Sequence, residues 1–280
     1  MKTGFKDLDK TIKIDKPQII LITSTDEIEN VFALNLVKNI AIDENIKTAL
    51  FTDLDLENVE EEFKIYTKDI LTSICSTVDI NKIIDSRYIK TILTKEELET
   101  AKTKGKAEVL FDETEGQKLY ITKEILNNEE EKRVKESYKK INNAPLYINT
   151  VVGITINEFK EKCRKFKLEK DIQLIVINTA TINDTKVNIL KTINELAKEL
   201  EVTIIVTAPT IENNNIPLKQ EQKELVEIMN IADITIYLKL GNEEEKGIVH
   251  CIIDTKENRN IVDMIYFTKY NKFEDLIRKY

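Results

Sequence analysis

The turn between Thr23 and Asn30 lies where a phosphate-binding loop would lie, but its side chains are acidic. The apolar run Ile19–Ile22 predicts a buried strand, and the apolar positions after the turn recur at helical spacing. A phosphate loop between such elements is rich in glycine and ends in Lys followed by Ser or Thr. This turn contains no glycine, and Asp26 and Glu29 stand at the spacing of a capping box. We therefore predict that carboxylates occupy the positive end of the helix.

Eight apolar runs predict the β-strands that must position this turn. They lie at about residues 19–23, 47–51, 146–150, 172–178, 202–207, 233–238, 248–253 and 261–267. Helical patterns separate most of the early runs, which predicts an α/β fold with a mostly parallel central sheet and helices on both faces. A short polar link joins the last two runs, so we expect an antiparallel hairpin at one edge of the sheet.

Residues 95–141 have a different pattern, with runs of charge and no strong strand signal. They predict a peripheral helical segment with a small hairpin near residues 109–111 and 119–121. The chain contains neither an internal repeat nor a low-complexity linker. Residues 1–280 are therefore expected to form a single domain.

Composition argues against several classes of function. The net charge of −8 does not suit a surface that holds nucleic acid by bulk electrostatics. The three cysteines are far apart and His250 is the only histidine, so a disulfide framework, a histidine-based metal site and a Ser-His-Asp triad are not expected. No apolar run approaches the length of about 20 residues that spans a bilayer, and no signal peptide is recognisable. We expect a cytoplasmic protein without membrane contact.

Several short stretches, in the same order, resemble the C-terminal RecA-like motor domain of replicative DNA helicases of the DnaB type. Thr3–Asp9 resembles the family's opening TGFxxLD segment, Ala33–Asn35 the helix after its phosphate loop, and Ala144–Ile148 its APLYI segment. Further stretches that resemble the family are Gly153–Ile156, Leu174–Ile177, Leu196–Leu200, Ala232–Asp233 and Lys272–Leu276. The resemblance covers nearly the whole chain and implies a RecA-like fold, in agreement with the predicted parallel sheet.

The resemblance also places the family's phosphate loop on this chain, where the residues differ. Alignment through Ala33–Asn35 puts Ile28 at a glycine, Glu29 at the phosphate-binding Lys and Asn30 at the Mg²⁺-binding Ser or Thr. A carboxylate in place of that Lys repels a polyanionic phosphate. The positions of the lost phosphate loop are Thr25, Asp26, Ile28, Glu29 and Asn30.

The other catalytic positions that the resemblance implies differ as well. The metal-coordinating Asp corresponds to Asn178, and the polar sensor residue corresponds to Pro209. The catalytic Glu falls between Asp53 and Asp55, either of which would reach the site after a shift of one residue. Phosphoryl transfer depends on these groups for positioning and charge neutralisation. The resemblance therefore implies the family fold without most of its catalytic groups.

Two further comparisons with the family concern partners. The arginine finger that family members insert into a neighbour's site aligns with Lys256, and Arg259 is the second candidate. The family's DNA-gripping loops correspond to Thr179–Asp184 and Ile211–Asn215, which contain no Lys or Arg. Because basic side chains hold the phosphates of DNA, we expect DNA binding to be weak or absent.

Three functions remain open at this point. The first is a pseudo-helicase that needs no cofactor and joins a helicase ring or other replication proteins in an oligomer. The second is a divergent helicase that uses ATP and Mg²⁺, which requires a Lys or Arg near the turn. The third is a binding module that reuses the old nucleotide cleft, which predicts a largely apolar pocket at the carboxyl ends of the strands.

Overall fold

The fold is described from a computed structural model. The structure describes residues 1–14, 17–53, 66–87, 108–111, 119–122, 126–151, 153–209, 227 and 230–277. The strands are β1 (Gln18–Ser24), β2 (Thr48–Thr52), β3 (Glu108–Phe111), β4 (Leu119–Thr122), β5 (Leu146–Thr150), β6 (Leu174–Asn178), β7 (Thr203–Pro209), β8 (Ile234–Leu240), β9 (Ile248–Thr255), β10 (Arg259–Phe267) and β11 (Lys272–Asp275).

Nine of these strands form one sheet in the order β11-β10-β9-β8-β1-β7-β6-β2-β5. The strands from β8 to β5 in this order run parallel to one another. The strands β9, β10 and β11 extend the sheet with antiparallel pairs. The strand β1 is therefore central, and its carboxyl end lies at the same edge of the sheet as those of β2, β6 and β7.

The eight strands predicted from apolar runs are confirmed, and so is the mostly parallel α/β sheet. The predicted small hairpin is confirmed as the antiparallel pair β3 and β4. The predicted antiparallel hairpin of β9 and β10 is confirmed on one side of the sheet, and the short strand β11 extends it by pairing with β10. The strand β11 has four residues, three of them charged, which is too short and too polar for a clear strand signal.

Seven α-helices lie among the described residues. They are α1 (Lys6–Thr11), α2 (Glu29–Val37), α3 (Thr67–Ser76), α4 (Ile80–Arg87), α5 (Asn128–Asn143), α6 (Ile156–Lys170) and α7 (Lys186–Leu200). The side chains of Asn127, Thr155 and Thr185 accept hydrogen bonds from the first turns of α5, α6 and α7. The helix α5 covers the end of the predicted helical segment 95–141, much of which lies outside the described residues.

The sheet has a hydrophobic cluster on each face, as two-sided covering by helices requires. Leu50 and Val176 belong to the cluster that contains α2, while Phe51 and Ile177 belong to the cluster that contains α6 and α7. Successive side chains of a strand point to opposite faces, so continuous apolar strands fill both clusters. The face with α2 is the one that positions the predicted phosphate turn.

The position of α2 is fixed by one buried amide and three packed rings. Asn35 is 2% exposed. Its Nδ2 donates to the Asn271 carbonyl at 2.8 Å, and its Oδ1 accepts from the Phe273 amide at 3.0 Å. The Phe32 ring packs against Phe5 and Phe273 at centroid distances of 5.7 and 5.0 Å. These contacts fix α2 against β11 and against Phe5, the residue before α1.

The three cysteines carry free thiols. Cys163 and Cys251 are buried and Cys75 is half-buried. Burial raises the pKa of the Cys75 thiol to about 11 and that of Cys251 to about 12. In the part of the chain that the structure describes, no helix has the length and apolar content needed to cross a bilayer.

Candidate functional site

The turn between β1 and α2 is held by its own side chains. The Asp26 amide donates to Ser24 Oγ at 2.9 Å, and the Asp26 carboxylate accepts from the Leu240 amide at 2.9 Å. The hydroxyls of Thr25 and Tyr237 lie 3.3 Å apart. Hydrogen bonds within the turn and to the carboxyl end of β8 therefore use N–H and side-chain groups of the turn. In a phosphate-binding loop such groups bind the ligand.

The predicted capping box between Asp26 and Glu29 is wrong. The helix α2 begins at Glu29, its N-cap residue is Ile28, and no side chain accepts a hydrogen bond at this cap. Glu27 has a φ of 56°, in the left-handed region, and the chain turns so that Asp26 contacts Leu240 instead of the helix. The reciprocal side-chain contacts of a capping box are therefore not formed.

Glu29 is buried without a full set of hydrogen-bond partners. It is 2% exposed, and its Oε2 atom has no partner among the described residues. Burial raises the pKa of this carboxyl, its own backbone N–H lowers it, the charge of Glu27 raises it, and Lys186 lowers it. Burial is the largest of these effects, so the site holds a poorly compensated acid at the amino end of α2.

Asn30, the second residue of α2, contacts a hydroxyl that sequence reasoning did not identify. Thr207 Oγ1 donates to Asn30 Oδ1 at 2.6 Å, and Thr207 is 2% exposed. The predicted sensor position, Pro209, lies two residues further along β7 and pairs in register with Ser24. Strand alternation places Thr207 on the same face as the buried Ile205, and this period-two signal could have identified it.

Asn178, the last residue of β6, caps the turn that follows it. Its Oδ1 accepts from the Ala180 amide at 2.9 Å, and its carbonyl accepts from the Thr181 hydroxyl at 2.7 Å. Asn178 pairs in register with Thr207, so the two side chains are neighbours at the carboxyl edge of the sheet. An amide brings no negative charge to hold Mg²⁺, and its oxygen is already used in the cap.

A cleft of about 70 Å³ lies between α2 and the ends of β2, β6 and β7. Its polar lining residues are Asn30, Thr52, Asp53, Asn178 and Thr207, and the rest of the lining is apolar. Among the described residues, no Lys or Arg lines this cleft. Asp53, which directly follows β2, is therefore placed beside the other predicted positions, whereas Asp55 lies outside the described residues.

The two finger candidates lie at the opposite end of the parallel strands. Lys256, in the turn between β9 and β10, contacts Asp233 Oδ1 at 2.7 Å, and Asp233 Oδ2 accepts from the Ile19 amide at 3.0 Å. Arg259 pairs with Asp254 at 3.4 Å. Ile19 lies near the amino end of β1, so it marks the position of Lys256. Five residues separate it from the carboxyl end of the strand, a distance of roughly 17 Å at about 3.3 Å per residue. Lys256 is therefore remote from the turn of its own chain.

Lys186, at the start of α7, is the cation whose charge acts on Glu29. It is half-buried, and its effect on the Glu29 pKa is smaller than that of burial. Sequence reasoning missed Lys186 because it lies far along the chain and belongs to no recognisable motif. Among the described residues, Lys186 is the one cation whose charge is seen to act at the position of the lost phosphate loop.

One of the two segments compared with DNA-gripping loops is described. Thr179–Thr181 form a single 3₁₀ turn, and Ile182 then bridges to Ile154. The segment contains no Lys or Arg, so it offers no cation to a phosphate backbone. The second segment, residues 211–215, lies outside the described residues. No three His, Cys, Asp or Glu side chains among the described residues are grouped as metal ligands.

The central sheet, with its turn and cleft at the carboxyl ends of the parallel strands, has the architecture of a RecA-like nucleotide-binding fold. The family model of the DnaB-like helicase C terminal domain matches residues 90–275. This match covers more than half of the chain, and the chain belongs to that family. The matched residues include Asn178, Pro209 and Lys256, whereas the turn before α2 lies outside them.

Relatives and solved structures agree with this assignment. The chain is 23% identical to the replicative DNA helicase DnaB of Geobacillus stearothermophilus and 22% identical to the replicative DNA helicase DnaC of Bacillus subtilis (strain 168). Each alignment covers 99% of this chain and 57% of the relative, so the chain spans little more than half their length. The solved structure of a DnaB-like replicative helicase, described with its interactions with primase, superposes with a TM-score of 0.70 at 18% identity. It covers 98% of this chain and 61% of that one, and it supports the fold.

Proposed function

We propose that this protein is a DnaB-like motor-domain homologue that acts in DNA replication without hydrolysing ATP. Its role would be structural or regulatory. The observation that supports this most directly is Glu29, a buried and incompletely paired carboxylate at the position that alignment gives to the phosphate-binding Lys. A negative charge there opposes the charge neutralisation on which phosphoryl transfer depends.

The remaining residues at this edge of the sheet do not suit ATP with Mg²⁺. The amide of Asp26 is used by Ser24, so the turn has one fewer N–H group for a phosphate. Asn178 offers no charge to a metal ion, and its oxygen caps a turn. The described lining of the cleft contains no cation. We therefore propose that the protein works without a nucleotide cofactor.

We infer that the partner is a helicase ring or another replication protein. Lys256 is 68% exposed, and its partner Asp233 is itself fixed by the Ile19 amide. Lys256 and the turn before α2 lie at opposite ends of the parallel strands. In a head-to-tail assembly, Lys256 of one subunit would therefore face the nucleotide site of the neighbouring subunit. The proposed subunit would contribute a cation to its neighbour while lacking a working site of its own. We propose a cytoplasmic location, and we expect little DNA binding by the isolated chain.

A second candidate function is a binding module that uses the old nucleotide cleft for another ligand. The cleft supports it, because the pocket lies at the carboxyl ends of β2, β6 and β7 and is lined by apolar, amide and hydroxyl groups. The third possibility, an active helicase, is supported only by Lys186. The charge of Lys186 already interacts with the carboxyl of Glu29 and lowers its pKa. We therefore place it last.

Titration of the protein with ATP and Mg²⁺ by calorimetry tests the proposal. The experiment should be done at a protein concentration that allows assembly, with the replicative helicase of the same cell as the positive control. We expect no heat of binding at millimolar nucleotide. Micromolar affinity would contradict the proposal and would require a cation near Glu29.

The proposed partnership is tested by adding this protein to that helicase and measuring the helicase ATPase rate and the assembly size by sedimentation. We expect the wild-type protein to join the assembly and to change the rate. Lys256→Ala should still fold but change the rate less, while Lys269→Ala, at an exposed lysine elsewhere, should behave as wild type. A strictly monomeric protein with no effect on the helicase would refute the partnership.

A further inference from the structure

We propose that the turn between β8 and β9 is a pH-dependent switch, held against the sheet while His250 is protonated and released when this proton is lost. The β8–β9 turn comprises residues 241–247 and carries three consecutive acids, Glu243, Glu244 and Glu245. It follows the carboxyl end of β8, at the edge of the sheet that also carries the turn before α2. The inference goes beyond the proposed function and does not depend on it.

Two carboxylates flank the imidazole ring of His250. Its Nδ1 lies 2.8 Å from Asp263 Oδ1, and its Nε2 lies 3.3 Å from Glu245 Oε2. A protonated imidazole donates from both nitrogens, whereas a neutral one donates from one nitrogen and presents a lone pair at the other. Asp263 is the nearer acid, so we assign the proton of the neutral ring to Nδ1. The lone pair of Nε2 would then face the Glu245 carboxylate, and this contact would be repulsive.

The two acids are attached to the fold in different ways. Asp263 pairs directly with His250 across the antiparallel strands β9 and β10, so strand pairing keeps these side chains together in either protonation state. Glu245 ends a single 3₁₀ turn, Glu243–Glu245, outside the strands. Loss of the proton therefore breaks the contact with the turn and leaves the contact with Asp263.

The two ends of the β8–β9 turn are fixed by backbone hydrogen bonds. The Gly241 amide donates to the Ile248 carbonyl at 2.9 Å, which closes the hairpin of β8 and β9. The Tyr266 amide donates to the Gly247 carbonyl at 2.7 Å, which joins the end of the turn to β10. Only the middle of the turn is therefore able to move while the strands stay paired.

The middle of the turn is held by one cap and by His250. The Asn242 side chain accepts from the amides of Glu244 and Glu245 at 3.0 and 3.2 Å. The Glu245 carboxylate reaches back to the Asn242 amide at 3.4 Å, which is long for a hydrogen bond. These contacts lie within the turn. Among the described residues, the contact with His250 is the hydrogen bond that joins the Glu245 side chain to the sheet.

Gly241 provides the space in which the Glu245 side chain packs. A Cβ atom at Gly241 would lie 2.6 Å from the Cβ of Glu245 and 3.0 Å from its carbonyl oxygen. The φ of Gly241 lies outside the left-handed region, so space and not backbone conformation restricts this position. Gly241→Ala would therefore displace Glu245 while both carboxylates and the imidazole remain in the protein.

The other described charges beside His250 are exposed. Lys239 pairs in register with His250 from β8, so its ammonium group opposes protonation, but solvent screens it. The remaining charged side chains of the β8–β9 turn are Glu243, Glu244 and Lys246, all of them exposed. Asp263 and Glu245, which contact the ring directly, therefore decide when His250 is protonated.

The sign of the pH dependence follows from these contacts. Hydrogen bonding to Asp263 raises the pKa of His250, partial burial lowers it, and hydrogen bonding to Glu245 raises it. The pKa lies above its ordinary value of 6.5. The contact with Glu245 should therefore be present below pH 6.5 and should be lost as the pH rises through the raised value.

A pH titration followed by NMR tests the switch, because His250 is the only histidine and gives one set of ring signals. Glu245→Gln and Gly241→Ala should both lower the midpoint of the His250 titration. Glu243→Gln, at an exposed acid of the same turn, should change it much less. In the wild type, backbone order parameters of residues 243–246 should fall from about 0.85 to below about 0.6 as the pH passes the midpoint. In Gly241→Ala they should be low at every pH.

Each outcome of this titration supports or overturns the inference. Order parameters that do not change with pH in the wild type would overturn it, and so would a midpoint that Glu245→Gln leaves unchanged. A midpoint lowered by Glu245→Gln but not by Gly241→Ala would assign the effect to charge at a distance and would also overturn the proposed contact. The dispersion of the amide spectrum shows at the same time that each variant is folded.

Discussion

Replacing the buried carboxylate of Glu29 by the isosteric amide should stabilise the protein at neutral pH. The Oε2 atom is buried and has no hydrogen-bond partner in the described part of the chain. A buried polar group left unsatisfied costs about 1–3 kcal/mol, and the amino end of the helix returns about 0.5–1 kcal/mol to an acid in its first turn. Because burial is the larger effect on the Glu29 pKa, we expect Glu29→Gln to add about 1 kcal/mol to the free energy of unfolding.

The pH dependence of this gain has a definite sign. The folded-state pKa of Glu29 is raised above its ordinary value of 4.5, so the protonated carboxyl favours the fold. That contribution is fully present below pH 4.5 and is lost as the pH rises through the raised value. Glu29→Gln cannot lose it, so the difference between variant and wild type should be small near pH 4 and complete at neutral pH.

Urea unfolding followed by far-UV circular dichroism measures this difference, since the chain contains no tryptophan. With a urea slope of about 2.5 kcal/mol per molar, a gain of about 1 kcal/mol moves the midpoint by about 0.4 M. Glu27→Gln is the matched control, because Glu27 is exposed in the same turn and should change stability by less than about 0.5 kcal/mol. An unchanged midpoint for Glu29→Gln at pH 7, or an equal gain at pH 4, would refute the reasoning.

Three further predictions concern other parts of the molecule. Hydrogen bonding to Asp263 raises the pKa of His250. The protonated His250 should therefore stabilise the fold below pH 6.5, and this stabilisation should be lost as the pH rises through the raised value. His250→Gln should remove this pH dependence from a plot of the urea midpoint against pH. In the folded protein a thiol reagent at pH 8 should modify the half-buried Cys75 before the buried Cys163, and urea should remove the difference, as peptide mapping will show. Thr207→Val should lower the free energy of unfolding by about 1 kcal/mol in the same urea assay, because Asn30 loses its donor; an unchanged midpoint would show that this hydrogen bond is not stabilising.

The sheet could be predicted from the sequence because its strands are long apolar runs. The strand β1 is buried on both faces, and such a run has few alternatives to a central parallel strand. The strand β11 could not be predicted in this way. Phe273 is its only buried residue, and pairing with β10 together with the contact to Asn35 defines it. Tertiary contacts of this kind leave no periodic signal in the sequence.

The candidate site was predicted in position but not in detail. Strand order and family resemblance brought Asn30, Asp53 and Asn178 to one edge, and the structure places all three in one cleft. The capping box failed because the left-handed conformation of Glu27 and the burial of Glu29 depend on packing against the rest of the fold. Local spacing rules cannot foresee a carboxylate that is buried at a helix end instead of capping it.

The turn that carries Lys256 and the turn before α2 lie at opposite ends of the same parallel strands, and this makes the molecule directional. In a closed ring, one inserted copy would alter its two boundaries differently. Under the proposed partnership, the boundary at its finger would still receive the Lys256 cation, whereas the boundary at its acidic turn would present the buried Glu29 in place of a phosphate-binding lysine. If ATP hydrolysis passed from subunit to subunit around such a ring, it would stop at the inserted copy. The direction of the parallel strands would decide which of its two boundaries is the one that stops it.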